Sequence, residues 1–203
     1  MANQNWVSLV NPASPYGSGA GTALSTATTA TISPVTGGGA DVVQVQPANL
    51  PYGWYPGLLL RVVARGYITT TSTSTTATFL LASRAGNTGS TYVTLATSAG
   101  VATSTTVLTG APWKLEAVIR CTAIGTSGNT VATQGEMYVS QNPSTAQTLN
   151  TASAGVNLYL PSASGETAAA VDTTQLQGIS MRATLAGANA TIQLTQWFVE
   201  ALD

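Results

Sequence analysis

The chain has 203 residues, with 6 Lys or Arg and 7 Asp or Glu, for a formal net charge of −1. Charged residues make up 6% of it, against about 25% in typical soluble domains. Binding of nucleic acid needs clustered Lys and Arg, and the sequence has no block of either, so we expect no nucleic-acid partner. The hydrophobic content of 44% is that of a globular protein and argues against disorder.

The residue types that are missing restrict the chemistry. The chain contains no histidine, which removes Ser-His-Asp and Cys-His sites, His-ligated zinc and the usual base near neutral pH. A single cysteine, Cys121, cannot form an internal disulfide. No apolar run is long enough for a transmembrane helix, and the N-terminus lacks the pattern of a secretory signal. We therefore predict no enzyme, cofactor, metal, small-molecule substrate or membrane partner.

Residues 1–22 are rich in Asn, Ser, Pro and Gly, with Trp6 and Tyr16 among a few apolar residues. This segment has too little periodicity to form a core of its own. We interpret it as an extended N-terminal arm that docks either on its own domain or on a neighbour, and both alternatives stay open. Residues 23–203 are predicted to form one domain.

Residues 24–32 and 41–45 are predicted as strands, separated by Pro34 and a run of three glycines. A Pro/Gly turn over residues 51–57 then carries Tyr52, Trp54 and Tyr55. Aromatic side chains here can plug one end of a sandwich, anchor a protein interface or stack on a sugar ring, and the three alternatives stay open.

Residues 58–68 are predicted as a long strand, with Arg61 and Arg65 on one face because they are an even number of positions apart. Further strands are predicted at residues 76–82, 92–96 and 105–108. The Gly-Ala-Pro sequence at residues 110–112 is interpreted as a turn.

The clearest strand pattern lies at residues 112–124. Apolar residues alternate there with more polar ones, in the order Trp113, Leu115, Ala117, Ile119, Cys121 and Ala123 against Lys114, Glu116, Val118, Arg120, Thr122 and Ile124. A strand sends successive side chains to opposite faces, so one row points inward and the charges point outward. A helix would scatter the charges around its circumference. We predict that this segment is the central strand of the fold.

The rest of the chain continues the same pattern. A hairpin loop at residues 125–129 precedes strands at residues 130–140, 156–160, 176–185 and 191–202, with a hairpin turn at residues 187–189. Residues 166–171 alone could form a helical turn. About ten strands without a convincing helix predict an all-β antiparallel β-sandwich, jelly-roll-like, with an N-terminal arm.

Two acidic residues lie on opposite sides of the central hairpin. Glu116 and Glu136 lie at similar distances from the centre of the loop at residues 125–129 and could meet across the hairpin. Paired carboxylates can hydrolyse glycosides. We favour the alternative in which each carboxylate faces an arginine or solvent.

Four segments carry a resemblance to a known family. They are residues 55–66 (Tyr-Pro-Gly-Leu-Leu-Leu-Arg-Val-Val-Ala-Arg-Gly), the Thr/Ser tract after them, residues 111–116 and residues 125–129. Together they resemble the jelly-roll capsid decoration, or cement, proteins of tailed phages and related minor head proteins, over residues 51–140. The resemblance implies a structural protein on the exterior of the virion capsid, made in the bacterial host cytoplasm. It implies binding to the major capsid protein as a homotrimer, and no catalytic residues.

Two other functions remain as alternatives, a structural subunit of a phage tail and a carbohydrate-binding β-sandwich module. The candidate interface residues are the aromatic residues of the arm and of the Pro/Gly turn, namely Trp6, Tyr16, Tyr52, Trp54 and Tyr55.

Overall fold

A computed structural model describes residues 23–32, 42–51, 53–86, 91–103, 107–128, 130–140, 156–160 and 166–202. These residues form β-strands and no helix. The strands are β1 (Thr29–Thr31), β2 (Val42–Val45), β3 (Leu59–Thr70), β4 (Thr76–Ala85), β5 (Val93–Thr97), β6 (Val101–Ala102), β7 (Leu108–Cys121), β8 (Val131–Val139), β9 (Val156–Leu160), β10 (Thr167–Ala169), β11 (Gln177–Leu185) and β12 (Ala190–Leu202).

The strands form two antiparallel sheets. In the first sheet the order is β1-β11-β4-β5, with β2 also on β11 and β6 also on β4. In the second sheet it is β10-β8-β7-β3-β12, with β9 also on β8. The chain changes sheet between β2 and β3, β3 and β4, β6 and β7, β10 and β11, and β11 and β12. The all-β antiparallel sandwich expected from the sequence is confirmed.

One hydrophobic core fills the space between the sheets. From Ala111 to the end of β7 the odd-numbered residues are buried, and Leu115 and Ile119 have no exposed surface. The ring of Phe79 on β4 packs on that of Trp113 on β7, with centroids 5.1 Å apart. β7 lies between β8 and β3, so its central position is confirmed. Ala123, expected in the inward row, is exposed because β7 ends at Cys121.

Gly66 of β3 makes room for Trp113. The two residues are register partners on neighbouring strands. A Cβ on Gly66 would lie 2.7 Å from Cζ2 of the Trp113 indole and 1.8 Å from the carbonyl oxygen of Gln193. Both distances are far below van der Waals contact, so glycine is required for this close approach.

Two β-bulges shift the alternation in the second sheet. In β7, the pairs Ile68↔Ala111 and Thr70↔Leu108 leave an extra residue, and Gly110 there has a φ of 71°. A positive φ of this size is unfavourable for residues with a side chain, so the bulge favours glycine at position 110. Residues 110–112, predicted as a turn, are therefore part of a strand. The alternation of inward and outward residues is interrupted by the bulge, and both Leu108 and Ala111 therefore point into the core.

The second bulge lies in β12. Gly66 pairs with Leu194 and Arg65 pairs with Gln196, which leaves Thr195 as the extra residue. The inward row changes there from even-numbered to odd-numbered residues. Ile192 and Leu194 are buried before the bulge, and Trp197 and Val199 are buried after it.

Three local predictions were wrong. Residues 187–189 do not close a hairpin, because β11 belongs to the first sheet and β12 to the second. Residues 166–171 contain the strand β10, paired with β8, in place of a helical turn. The strand predicted at residues 24–32 is limited to Thr29–Thr31 and a separate bridge at Leu24. The N-terminal arm and the first half of the strand predicted at residues 105–108 lie outside the described residues.

Candidate interaction surface

The outer face of the second sheet holds most of the chain's few charges. The outward-pointing charged residues of β3, β7, β8 and β12 are Arg61, Arg65, Lys114, Glu116, Arg120, Glu136 and Glu200. We call this surface the charged face. It exists because each of these strands alternates apolar inward residues with polar outward ones, as the sequence of β7 predicts.

An ion-pair network crosses three strands of the charged face. Arg61 on β3 lies between Glu116 on β7 and Glu200 on β12, with Nη2 2.6 Å from Glu116 Oε1 and Nη1 2.9 Å from Glu200 Oε1. The Arg61 Nε also donates to Glu116 Oε1, at 2.8 Å. Lys114 Nζ lies 2.9 Å from the other Glu116 oxygen. Single exposed ion pairs contribute little, but a network holds its side chains in one arrangement.

The network shifts the pKa values of Glu116 and Arg61. Hydrogen bonds from Lys114 and then from Arg61 lower the pKa of Glu116 below its ordinary value. The hydrogen bond to Glu116 raises the pKa of Arg61 further above its ordinary value. Glu116 is therefore ionised throughout the neutral range, and its charge is matched by cations of the same chain.

A second ion pair lies at the end of β7. Arg120 binds Glu166 through two parallel contacts, Nη2 to Oε2 at 2.7 Å and Nε to Oε1 at 3.2 Å. This fork geometry fixes the orientation of both groups. It ties β7 to the residue just before β10.

Glu116 and Glu136 do come together, as the hairpin spacing predicts. They are register partners on β7 and β8, and with Lys114, Met137 and Tyr138 they line a hollow of about 50 Å³. A general acid needs a raised pKa, whereas the pKa of Glu116 is lowered. The favoured alternative, in which Glu116 faces an arginine, agrees with this geometry. Glu136 is solvent-exposed.

Two tyrosines project from the charged face. Tyr67 on β3 is 38% exposed and Tyr138 on β8 is 42% exposed. Tyr138 is the register partner of Lys114. Exposed aromatic rings beside charged groups are typical of protein contact surfaces. Neither residue was selected from the sequence, although their outward parity on β3 and β8 could have identified them.

The aromatic turn is divided between the core and the surface. Trp54 is 1% exposed and packs in the core, so the proposed role of its side chain as a surface contact is wrong and it plugs the sandwich instead. Tyr55 is 42% exposed. The turn is tight because Leu58 N donates to Tyr55 O and Gly57 has a φ of 94°, as in a type II turn. Tyr52, Trp6 and Tyr16 lie outside the described residues.

The outer face of the first sheet carries a different aromatic cluster. The guanidinium carbon of Arg182 lies 3.9 Å from the centroid of the Tyr92 ring, and that of Arg84 lies 5.5 Å from it. The Tyr92 hydroxyl accepts from Arg84 and from Thr31. This cation–π stack links β1, β4 and β11 and has a structural role.

Comparisons with known families, proteins and structures found no match to this chain. Within the described residues, no helix is long and apolar enough to cross a membrane. In the same part of the chain, no three residues among Cys, Asp and Glu are grouped so that they could hold a metal ion.

Proposed function

We propose that this chain is a structural virion protein that decorates and stabilises the outside of a tailed-phage capsid by binding major capsid subunits as a homotrimer. The observation that carries the proposal is the charged face, a broad sheet surface whose central charges are neutralised within the chain and which presents Tyr67 and Tyr138. The resemblance of residues 51–140 to the decoration proteins supports the same function.

The charged face suits a permanent protein contact. Its strands β3, β7 and β12 are 12, 14 and 13 residues long, so the charged face is an extended surface. Because Arg61 and Lys114 already neutralise Glu116 and Glu200, a partner that covers these residues leaves few unpaired charges behind. Docking on such a surface depends on shape, hydrogen bonds and buried aromatic rings.

The test is a binding assay with heads of the parent phage that lack this protein. The purified chain should sediment with the heads, and Tyr138→Ala should weaken the affinity about thirtyfold or more, because a hot-spot aromatic contributes about 2 kcal/mol or more. Ile124→Ala is the control, since Ile124 is 51% exposed and lies outside the strands of the charged face. Absence of the chain from the heads would contradict the proposal.

A carbohydrate-binding module is the second candidate, favoured by the exposed ring of Tyr55. Of the two rings of the aromatic turn that the structure describes, that of Tyr55 is available to a sugar, because the indole of Trp54 is buried. A glycan array with the unmodified protein and Tyr55→Ala separates the two candidates. Binding that Tyr55→Ala abolishes would favour the carbohydrate module.

A further inference from the structure

Most of the outer edge of β12 has no strand partner among the residues that the structure describes. β12 is the last strand of the second sheet and pairs with β3 along one edge. On its other edge, counting only residues that the structure describes, it meets Leu24, which exchanges two backbone hydrogen bonds of 2.9 Å with Ile192. The edge from Leu194 to Leu202 has no strand partner in that part of the chain. An open edge of this length is a template for another strand.

The sequence of β12 lacks the usual protection of a free edge. Edge strands that stay unpaired are short or carry Lys and Pro. β12 has 13 residues, Ala-Thr-Ile-Gln-Leu-Thr-Gln-Trp-Phe-Val-Glu-Ala-Leu, with one charge and no proline. That charge, Glu200, is bound to Arg61. The bulge at Thr195 interrupts the edge, but the residues after it continue as regular strand.

The bridge at Leu24 sets the direction from which the N-terminal arm arrives. Because Leu24 and Ile192 pair antiparallel, the chain that leads to Leu24 comes from the side of the C-terminal end of β12. The residues immediately upstream include Pro12, Pro15 and three glycines within residues 17–21. Such a stretch is a poor strand, because proline lacks an N–H and glycine has little strand propensity.

Within the sequence of the arm, residues 6–10 (Trp-Val-Ser-Leu-Val) have the residue types that favour strands. An extended chain from Leu24 back to residue 10 would span about 46 Å, whereas Ile192 to Leu202 spans about 33 Å, at about 3.3 Å per residue. Residues 6–10 would lie beyond the end of their own β12 if the intervening stretch were extended. A neighbouring copy offers the same open edge.

We propose that residues 6–10 of one copy add as a strand to the free edge of β12 in a neighbouring copy. In a closed ring, each copy donates its arm to one neighbour and receives an arm on its own β12 edge from the other, as cyclic symmetry requires. Backbone hydrogen bonds supply affinity and the alternating side chains supply register. This inference rests on one part of the proposed function, the self-association of the chain. The partner is a second copy of the same chain.

A cysteine trap tests the exchange between copies. In a Cys121→Ala background, one tagged protein carries Ser8→Cys and a differently tagged one carries Gln196→Cys or, to allow for another register, Phe198→Cys. After the two are unfolded and refolded together, oxidation should link the two tags in a covalent heterodimer. Ser8→Cys with Thr126→Cys, in the exposed loop after β7, is the control and should stay unlinked.

The same trap reveals the opposite outcome. With both cysteines in one chain at high dilution, an internal disulfide would show that each arm lies on its own β12 and would overturn the proposal. Failure of both Gln196→Cys and Phe198→Cys to form heterodimers would overturn it as well.

A proline variant gives an independent readout. Successive residues of a strand direct their N–H groups to opposite edges, so either Ser8→Pro or Leu9→Pro removes a backbone donor that faces β12. That variant should lower the mass measured by light scattering to that of the monomer, with an unchanged β-type circular dichroism spectrum. Asn5→Pro, just outside the segment, should leave the oligomer intact. An oligomer that survives both Ser8→Pro and Leu9→Pro would contradict the exchange. These tests use purified protein, so a chain that exchanges arms but does not bind phage heads would contradict the proposed function alone.

Discussion

Phe79 and Trp113 join the two sheets, with ring centroids 5.1 Å apart and planes inclined by 51°. Phe79 lies on β4 and Trp113 on β7, so the contact connects a middle strand of each sheet. Offset and tilted ring pairs are more favourable than their buried area alone accounts for. This pair explains why the sequence places a tryptophan opposite Gly66, the residue that lets the indole approach the backbone.

Replacement of Trp113 should cause the largest loss of stability among single side-chain truncations of β7. Trp113→Ala is expected to lower the free energy of unfolding by about 3–5 kcal/mol, because it removes a large buried ring and leaves a cavity. The midpoint of urea unfolding measures this. Tyr138→Ala, on the exposed side of the neighbouring strand, should change it by about 0.5 kcal/mol or less. Equal effects would show that the indole does not hold the sheets together.

The central hairpin could be predicted from the sequence because its signal is local. Successive residues of β7 alternate so strictly that face, strand type and the register partner Glu136 all follow from the pattern. The row of buried residues was assigned correctly up to Cys121. The outward parity of Arg61 and Arg65 followed in the same way.

Sheet membership could not be predicted in this way. Residues 187–189 have the composition of a hairpin turn, but the strands on either side belong to different sheets. Which strand pairs with which depends on long-range packing, and turn residues report only that the chain reverses. The bulge at Gly110 shows the same limit, since the sequence Gly-Ala-Pro at residues 110–112 is compatible with a turn and with a bulge.

The aromatic turn shows why the interface residues were only partly predictable. Trp54 and Tyr55 are adjacent in sequence, yet one is in the core and the other is half-exposed. Their composition alone allows both positions. The conformation of the turn, with a φ of 94° at Gly57 and a hydrogen bond from Leu58 to Tyr55, decides which ring points inward.

The ion-pair network should stabilise the fold in a pH-dependent way. The pKa of Glu116 is lower in the folded chain than its ordinary value of 4.5, first because of Lys114 and then because of Arg61. The contribution of Glu116 is therefore fully present above about pH 4.5 and is lost as the pH falls through the lowered folded pKa.

Glu116→Gln tests this contribution by thermal unfolding. The variant should have a smaller loss of melting temperature between pH 6 and about pH 3 than the unmodified chain, because the titrating carboxylate is gone. The difference should shrink in about 1 M salt, where the Debye length is about 3 Å. Glu136→Gln is the control, since Glu136 is exposed and has no ion-pair partner among the described residues. An identical acid profile for Glu116→Gln and the unmodified chain would refute the expectation.

Cys121 should be unreactive in the folded protein. Its side chain is buried, and burial raises the pKa of the thiol above its ordinary value, while the Sγ donates to the carbonyl of Ala123. The thiolate is the reactive form. Labelling with a thiol reagent at neutral pH should be slow in buffer and complete in guanidinium chloride. Thr126→Cys should label at once in the folded chain, because that loop is exposed; rapid labelling of Cys121 itself would show that β7 opens at its end.

Attachment to the partner should change little between about pH 5.5 and pH 8. The chain has no histidine, and no other side chain has an ordinary pKa in that range. The ion pairs move two pKa values further from this pH range. The pKa of Glu116 is lowered, away from the acidic end of the range, and the pKa of Arg61 is raised, away from the basic end. Sedimentation of the chain with phage heads across this range measures the bound fraction. Loss of more than about half of the bound chain at either end would show that a titrating group of the partner, or a shifted group of this chain, controls the contact.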